Sequence, residues 1–277
     1  MHSSGMLPLI LHIPHASTSI PVECLGDFLI DRDRLAKRLA ASTDHYTDGL
    51  FSMAGPGIST VTFPISRLVV DPERFENDHQ EPMAARGLGV LYECGHDGER
   101  IRSSIQPERR AWYLDRWYRP HHAALESAVN RAIERSGHAL IIDCHSYPDI
   151  PLAVDLDQST PRPDGCFGTS GIHTPAWLVD AGMRFASARG WTFGIDQPYA
   201  GSIVPMQHFG KDARVLSIMV EINRKRYMAL EGDTAVKAAG FDSTREFVLG
   251  LVSYLRTAAE NLRKTQGASG CQNPSSC

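Results

Sequence analysis

The sequence predicts an α/β fold in which helices cover a β-sheet. Short apolar runs alternate with longer helical patterns along the chain, an order typical of α/β proteins and not of all-α or all-β ones. The chain has 277 residues with 42% hydrophobic side chains, enough to bury a large core. We therefore predict one α/β hydrolase domain over residues 1–264, followed by a disordered Gly/Ser/Asn tail over residues 265–277.

The predicted strands are short apolar stretches, several of them rich in β-branched residues. They are 7–13, a second region formed by 60–65 and 68–70, 139–144, 191–195 and 215–222. The stretch 139–144 is the clearest buried strand because it is apolar nearly throughout.

The predicted helices have apolar residues at helical spacing. They are 31–51, read as one or two helices, then 107–135, 175–189 and 241–263. Pro120 predicts a kink in the second of these, and Gly137 its end. The stretches 75–105 and 148–174 are polar and Gly-punctuated, so they are predicted as long loops, and the first could cover a site.

Composition restricts the class of partner. A net charge of -4 and a pI near 6.3 give no basic field for nucleic acid or anionic lipid. No apolar run is long enough to span a membrane, and the six cysteines form no C-x-x-C pair, so we expect reduced thiols in a cytoplasmic protein. The expected partner is a small molecule, and the oligomeric state is left open.

Metal-competent side chains stand at the carboxyl ends of three predicted strands, where an open α/β sheet binds its ligands. His15 follows the first strand, His145 the buried one, and Glu221 ends the last. Two imidazoles and a carboxylate, with one open position for water, are typical of a catalytic zinc site. His12 and Asp143, close to the two histidines in sequence, are candidates for supporting the ligands.

Two aspartates compete for the place of carboxylate ligand. Asp44 and Asp48 are four residues apart in a predicted helix and would share one face. One would bind the metal while the other orients a histidine; a pair of solvated surface carboxylates is the alternative. Glu221 is the candidate general base, and a salt bridge to Arg224 or Arg226 is the alternative for it.

Arginines near these motifs predict a substrate that carries a carboxylate, because a guanidinium binds a carboxylate through two parallel hydrogen bonds. The candidates are Arg67 and Arg74, beside the 68–70 run, and Arg224, three residues after Glu221.

Seven short segments in fixed order resemble the N-formylglutamate amidohydrolase family, whose members finish one route of histidine degradation. They include His-Ile-Pro-His at 12–15, Asp-Cys-His-Ser at 143–146 and Glu-Ile-Asn-Arg at 221–224. The others lie within 43–51, 66–75, 118–122 and 198–201, so the resemblance runs nearly end to end.

The resemblance implies a three-layer, zinc-carboxypeptidase-like (phosphorylase/hydrolase-like) architecture with a mixed β-sheet flanked by helices. It also implies hydrolysis of N-formyl-L-glutamate, or of a related N-formyl or N-acyl amino acid, with one divalent metal ion. Zinc is expected, and cobalt, manganese and iron accept similar ligands. A carboxypeptidase-like peptidase or an N-acyl amino acid deacylase is the alternative activity.

The roles implied for individual residues follow the same resemblance. His15, Asp44 and His145 would bind the metal, Glu221 would be the base, and two arginines would hold the substrate carboxylate. Those arginines are Arg67 and Arg74. The chain departs from the family pattern at Glu73 and at 196–197, where asparagines are expected, so the lining of the pocket is predicted to differ and the substrate could be another N-formyl or N-acyl amino acid.

Overall fold

A six-stranded sheet forms the centre of the computed structural model, which describes residues 6–269, with side chains to residue 262. In chain order its strands are β1 (Leu9–Ile13), β2 (Ile58–Thr62), β3 (Ala139–Tyr147), β4 (Gly165–Gly168), β5 (Phe193–Ile195) and β6 (Val215–Asn223). Their order across the sheet is β2-β1-β3-β6-β4-β5. β4 runs antiparallel to β6, whereas the other four pairings are parallel. The prediction of an α/β fold with a mixed sheet is confirmed.

Helices pack on both faces of this sheet. In chain order the helices of the chain are α1 (Arg32–Ser42), α2 (Thr47–Leu50), α3 (Pro107–Tyr113), α4 (Arg119–Ser136), α5 (Ala176–Ser187) and α6 (Phe241–Ser269). Those that share a core cluster with strand residues are α2, α4, α5 and α6. Successive strand residues face opposite sides. Accordingly Ile10 and Ile141 pack in one core cluster with residues of α4, while Leu11 and Ile142 pack in another with residues of α5 and α6.

The two central strands, β3 and β6, carry the deepest part of the core. All nine residues of each strand are buried, as expected for parallel strands covered on both faces. Their register pairs His145 with Glu221. The polar ends of these strands therefore lie side by side at the carboxyl edge of the sheet.

Several element boundaries differ from the prediction. The predicted strand 68–70 is a turn, and the second strand is Ile58–Thr62 alone. The buried side chains of 68–70 pack in a core cluster with Leu88 and Tyr92, so burial and not pairing explains their apolar character. The predicted helix 31–51 is interrupted between α1 and α2, where Tyr46 has a left-handed backbone (φ 64°). A five-residue π-helical turn, Leu114–Tyr118, separates α3 from α4.

Three strands were missed in regions predicted as loops or left unassigned. β4 lies inside the predicted loop 148–174, and β7 (Met228–Glu231) pairs with β8 (Thr234–Lys237) in a separate antiparallel hairpin. Each has only four residues, too few to show a period. The predicted loop 75–105 contains two short 3-10 helices, Asp78–Gln80 and Pro82–Arg86.

The carboxyl terminus differs in part from the prediction. The last helix ends at Ser269, so 265–269 of the predicted disordered tail are helical, and residues 270–277 lie outside the described part. That residues 1–264 form one domain stays a prediction. Within residues 6–269, no helix is both long and apolar enough to cross a membrane.

Candidate active site

Three side chains with metal-ligand chemistry meet at the carboxyl edge of the sheet. His15 follows β1, Asp44 lies in the turn between α1 and α2, and His145 lies in β3. Their ligand atoms are all within 4.8 Å of one another, and each residue is at most 4% exposed. Nδ1 of His145 is 3.2 Å from Oδ2 of Asp44, and Nδ1 of His15 is 3.7 Å from the same oxygen.

Each histidine is backed by an aspartate on its far nitrogen. Nε2 of His15 is 2.8 Å from Oδ1 of Asp71, and Nε2 of His145 is 3.0 Å from Oδ1 of Asp143. For His15 this hydrogen bond places a proton on Nε2 and directs Nδ1 toward Asp44. Both nitrogens of His145 face a carboxylate, Nδ1 that of Asp44 and Nε2 that of Asp143. Such carboxylate backing fixes the ring and raises its basicity as a ligand.

The unpartnered atoms fit a cation. Nδ1 of His15 is buried without a hydrogen-bond partner. Burial, and then the charge of Arg67, lowers the pKa of His15 and so favours the neutral ring that binds a metal. Burial also acts to lower the pKa of His145, but Asp143 and Asp44 raise it well above the usual value. The set of two imidazole nitrogens and one carboxylate oxygen suits zinc and its chemical neighbours.

Asp44, and not Asp48, belongs to this cluster. Oδ1 of Asp44 accepts a hydrogen bond from Arg224 at 2.9 Å, and Oδ2 accepts one from the backbone N–H of Ser146 at 3.2 Å. Burial opposes ionisation of Asp44, but His145, His15 and Arg224 hold its pKa well below the usual range. The predicted shared face is wrong because the chain is not helical between α1 and α2. Asp48 is exposed and accepts only from the backbone N–H of Gly49 among the contacts described.

Glu221 is a buried carboxylate beside the cluster. It is 6% exposed, and its Oε2 is buried without a hydrogen-bond partner. Burial, together with the nearby charge of Asp44, raises its pKa to about 8, against the opposing charges of His145 and Arg224. A carboxyl group with a pKa near the working pH is suited to taking up and giving back a proton.

Arg224, a predicted substrate-binding residue, is bonded to protein groups near the cluster. Its guanidinium donates to the Asp44 carboxylate, to the backbone oxygen of Ala41 at 2.7 Å and to both oxygens of Ser146. All three guanidinium nitrogens are therefore engaged, and the side chain holds Asp44 in place. Arg224 is 8% exposed and also lines the cavity, so its contact with the substrate stays a prediction.

Arg67 and Arg74 do reach the open part of the site. Both line a cavity of about 1560 Å³ that also contains the three-residue cluster and Glu221. Arg67 donates through Nη2 to Asp71 at 2.8 Å, and Nε of Arg74 has no hydrogen-bond partner. Their charges face the cavity from the segment that follows β2.

Sequence patterns missed several residues of the site. Asp71 backs His15, and His96 lines the cavity from the 75–105 connection. Burial, and then the charges of Arg67 and Arg74, keep the pKa of His96 well below its usual value. His96 lies in an irregular segment without any period, so no signal marked it.

His12 is buried against the backing aspartate. Its Nδ1 is 2.9 Å from Oδ1 of Asp143, and its Nε2 is 2.8 Å from Nε2 of His121. His12 thus contacts a supporting residue of the three-residue cluster.

Comparison with known proteins identifies the family. Residues 7–228 match the profile of the N-formylglutamate amidohydrolase family, which is well over half of the chain. The chain belongs to the N-formylglutamate amidohydrolase family. The resemblance inferred from the short segments is therefore confirmed.

A curated protein with a similar sequence is the N-formylglutamate deformylase of Pseudomonas putida. It is 28% identical over 233 residues, which cover 81% of this chain and 83% of that protein. All residues assigned to the site lie within the stretch that matches the N-formylglutamate amidohydrolase profile.

Two solved structures share the fold. The N-formylglutamate amidohydrolase of Ralstonia eutropha JMP134 superposes with a TM-score of 0.78 at 24% identity, covering 94% of this chain and 95% of that one. A gene product of Agrobacterium tumefaciens superposes with a TM-score of 0.62 at 16% identity, covering 95% and 98%. At these identities the likenesses support the fold.

Proposed function

We propose that this chain is a metal-dependent amidohydrolase that cuts N-formyl-L-glutamate, or a related N-formyl amino acid, into formate and the free amino acid. The observation that carries the proposal is the buried cluster of His15, Asp44 and His145 beside the unpartnered carboxylate of Glu221. The substrate is suggested by the family and by the name of the Pseudomonas relative.

His15, Asp44 and His145 would hold one divalent ion, with zinc first and cobalt, manganese or iron as alternatives. Such an ion supplies Lewis-acid chemistry, because it lowers the pKa of a water molecule and stabilises negative charge on the carbonyl oxygen. The supporting residues Asp71, Asp143 and Arg224 keep the three side chains in place through the hydrogen bonds described above.

Glu221 moves the proton. Its Oε2 takes a proton from the attacking water while the water oxygen bonds to the formyl carbon. The same proton then goes to the amide nitrogen as the carbon–nitrogen bond breaks, which releases formate and the amine. Burial suits Glu221 for this exchange because it raises the pKa of the carboxyl group to about 8.

Arg67 and Arg74 would bind the carboxylates of the substrate. Both line the cavity, and the guanidinium of Arg74 lies 3.6 Å from Asp71 and 3.8 Å from Glu81, beyond hydrogen-bond distance of either carboxylate. The neutral imidazole of His96 beside them adds a hydrogen-bonding group without another positive charge. A dicarboxylate such as formylglutamate offers two anions to this pair of guanidinium groups.

The size of the cavity favours a second candidate, the removal of acyl groups larger than formyl. About 1560 Å³ exceeds the roughly 300–1,000 Å³ of ordinary ligand pockets, and a formyl group adds only a hydrogen beyond the carbonyl carbon. Met206 and Phe209, which line the cavity, are large apolar side chains exposed by 60% and 43%. They offer apolar surface to a longer chain.

The test is hydrolysis of N-formyl-glutamate against a panel of N-formyl and N-acetyl amino acids and a dipeptide, with metal content measured on the same preparation. We expect formyl-glutamate turnover that stops on chelation and returns with zinc or cobalt. Preference for acetylated substrates would favour the second candidate, and failure of the metal-loaded protein on the whole panel would refute both.

Glu221→Gln separates chemistry from binding. The variant should keep its fold and bound metal and lose most turnover, a drop of about 10²–10⁴-fold in kcat. Glu126→Gln is the matched control, because Glu126 lines the same cavity and has no role in the proposed reaction. Full activity of Glu221→Gln would exclude Glu221 as the base.

A further inference from the structure

A second set of three polar side chains converges next to His145. Nδ1 of His12 lies 2.9 Å from Oδ1 of Asp143 and 3.2 Å from Oε1 of Glu73. The ligand atoms of these three residues are within 4.8 Å of one another. The side chains of His12 and Asp143 are at most 1% exposed, and that of Glu73 is 15% exposed.

The hydrogen bonds of this set leave one carboxylate oxygen unsatisfied. An imidazole nitrogen carries at most one proton, and Nδ1 of His12 is bonded to Asp143. Oε1 of Glu73 is buried without a hydrogen-bond partner. Among the described residues, the contact with His12 is the one ion pair found for Glu73. Two buried carboxylates side by side are stable together only when a proton or a cation joins them.

We propose that His12, Glu73 and Asp143 form a second divalent-cation site, distinct from the three-residue cluster proposed for catalysis. Ligand atoms about 2.0–2.1 Å from a tetrahedral ion stand roughly 3.3 Å apart. The two distances from His12 Nδ1, 2.9 and 3.2 Å, require little movement to reach this spacing. One imidazole and two carboxylates suit zinc, cobalt or manganese.

The surroundings of the set supply what a metal site needs. Nε2 of His12 is 2.8 Å from Nε2 of His121, so the His12 tautomer that donates a hydrogen bond from Nε2 to His121 leaves Nδ1 free for the ion. Oδ2 of Asp143 accepts from the backbone N–H of Ile203 at 3.0 Å, which orients the carboxylate. Glu73 lines the large cavity, so an ion has a path from solvent.

The second site is linked to the first through one carboxylate. Oδ1 of Asp143 is 2.9 Å from His12 and 3.0 Å from Nε2 of His145. An ion at the second site would attract the Asp143 carboxylate and so weaken its hydrogen bond to His145. We therefore expect the second ion to bind more weakly than the first and to lower the affinity of the first.

Metal counting tests the proposal without reference to catalysis. The full chain is stripped with a chelator, dialysed against zinc, freed of unbound metal and assayed for zinc per chain by mass spectrometry. The wild type should hold two ions. Glu73→Gln should hold one, because the amide keeps the size of the side chain and loses its charge. Circular dichroism checks that each variant is folded.

Two further variants identify which ion is lost. Glu81→Gln is the matched control, since Glu81 is a buried glutamate in the same cavity wall, and it should hold two ions. Asp44→Asn should lose the first ion and keep the second. One ion in the wild type, retained by Glu73→Gln and lost by Asp44→Asn, would overturn the second site and leave the proposed function intact.

The other outcomes also decide. One ion in the wild type, lost by Glu73→Gln and kept by Asp44→Asn, would support the second site and contradict the metal ligands of the proposed function. Two ions in Glu73→Gln would overturn the second site, since its charged ligand from the cavity wall would then be dispensable.

Discussion

Asp71→Asn tests the geometry of the site, because this one buried carboxylate holds several of its parts. Oδ1 of Asp71 accepts from Nε2 of His15 at 2.8 Å and from the backbone N–H of Glu73 at 2.9 Å. Oδ2 accepts from Arg67 at 2.8 Å and from the hydroxyl of Tyr92 at 2.5 Å. Burial opposes its ionisation, but Arg67 and His15 hold the pKa of Asp71 well below the usual range.

The expected loss has two parts. An amide keeps one acceptor oxygen and places an NH₂ group against donors, so the Arg67 guanidinium loses its charged partner. Breaking a buried ion pair in this way costs about 3–5 kcal/mol of unfolding free energy. Loss of the backing carboxylate of His15 should lower metal affinity by about 10–100-fold.

Urea unfolding of the chelator-treated protein and zinc competition against a chromogenic chelator measure the two parts separately. The stability difference should also depend on pH. Because the folded pKa of Asp71 is depressed, its contribution is complete above the unfolded pKa of about 3.9 and is lost as the pH falls toward the folded pKa. The difference between wild type and variant should therefore shrink below about pH 4.

Asp155→Asn is the matched control. Asp155 is also a buried carboxylate of the cavity wall, and it accepts from Arg162 at 2.7 Å and from Tyr199 at 2.9 Å. It contacts none of the proposed metal ligands, so it should lose stability and keep zinc affinity. An Asp71→Asn protein with less than about 1 kcal/mol lost and unchanged zinc affinity would refute the assigned network.

Three further results are expected. Arg224→Lys should weaken zinc binding by about 10–100-fold, because an ammonium group cannot hold Asp44 and the neighbouring oxygens at once. Competition titration measures the zinc affinity, and an unchanged affinity would contradict the role of Arg224 in holding Asp44. In chelator-treated protein, Glu221→Gln should be more stable than wild type at pH 9 by up to about 5 kcal/mol and equal to it near pH 4. The reason is that a folded pKa raised to about 8 destabilises the folded protein only at a pH where the carboxyl of the unfolded chain is ionised. Urea unfolding curves at both pH values test this. Gly168→Ala should lower the free energy of unfolding by about 1–3 kcal/mol, because the added Cβ would lie 2.1 Å from a backbone oxygen. Gly26→Ala, whose Cβ would have no atom within 4 Å, should be nearly neutral in the same urea unfolding assay.

The parts of the site that follow from chain direction could be predicted from the sequence. Parallel strands place their carboxyl ends at one edge, so polar residues after β1, in β3 and in β6 had to meet there. His15, His145 and Glu221 were chosen on this ground, and the structure brings the first two together with the third lining the same cavity. Their roles in metal binding and catalysis stay predictions.

The parts that depend on tertiary contacts could not be predicted. Helical spacing put Asp44 and Asp48 on one face, but the left-handed backbone of Tyr46 ends that periodicity. Arg224 was predicted to bind the substrate because its position is near the site, and its hydrogen bonds to Asp44 and to backbone oxygens were missed. Neither the backbone conformation of Tyr46 nor the contacts of Arg224 can be inferred from residue spacing.

The two backing aspartates show where local pattern stops being informative. Asp143 and His145 are two residues apart on one strand, so their side chains leave the same face, and the 3.0 Å contact follows from strand geometry. An Asp-x-His sequence at the end of a buried strand thus predicts a ligand together with its support. His15 obtains its support from Asp71, 56 residues away, through a turn that resembled a strand in the sequence. Only the packing of that turn against the end of β1 creates the second pair, which is why the apolar run 68–70 was assigned to the sheet and Asp71 was left without a role.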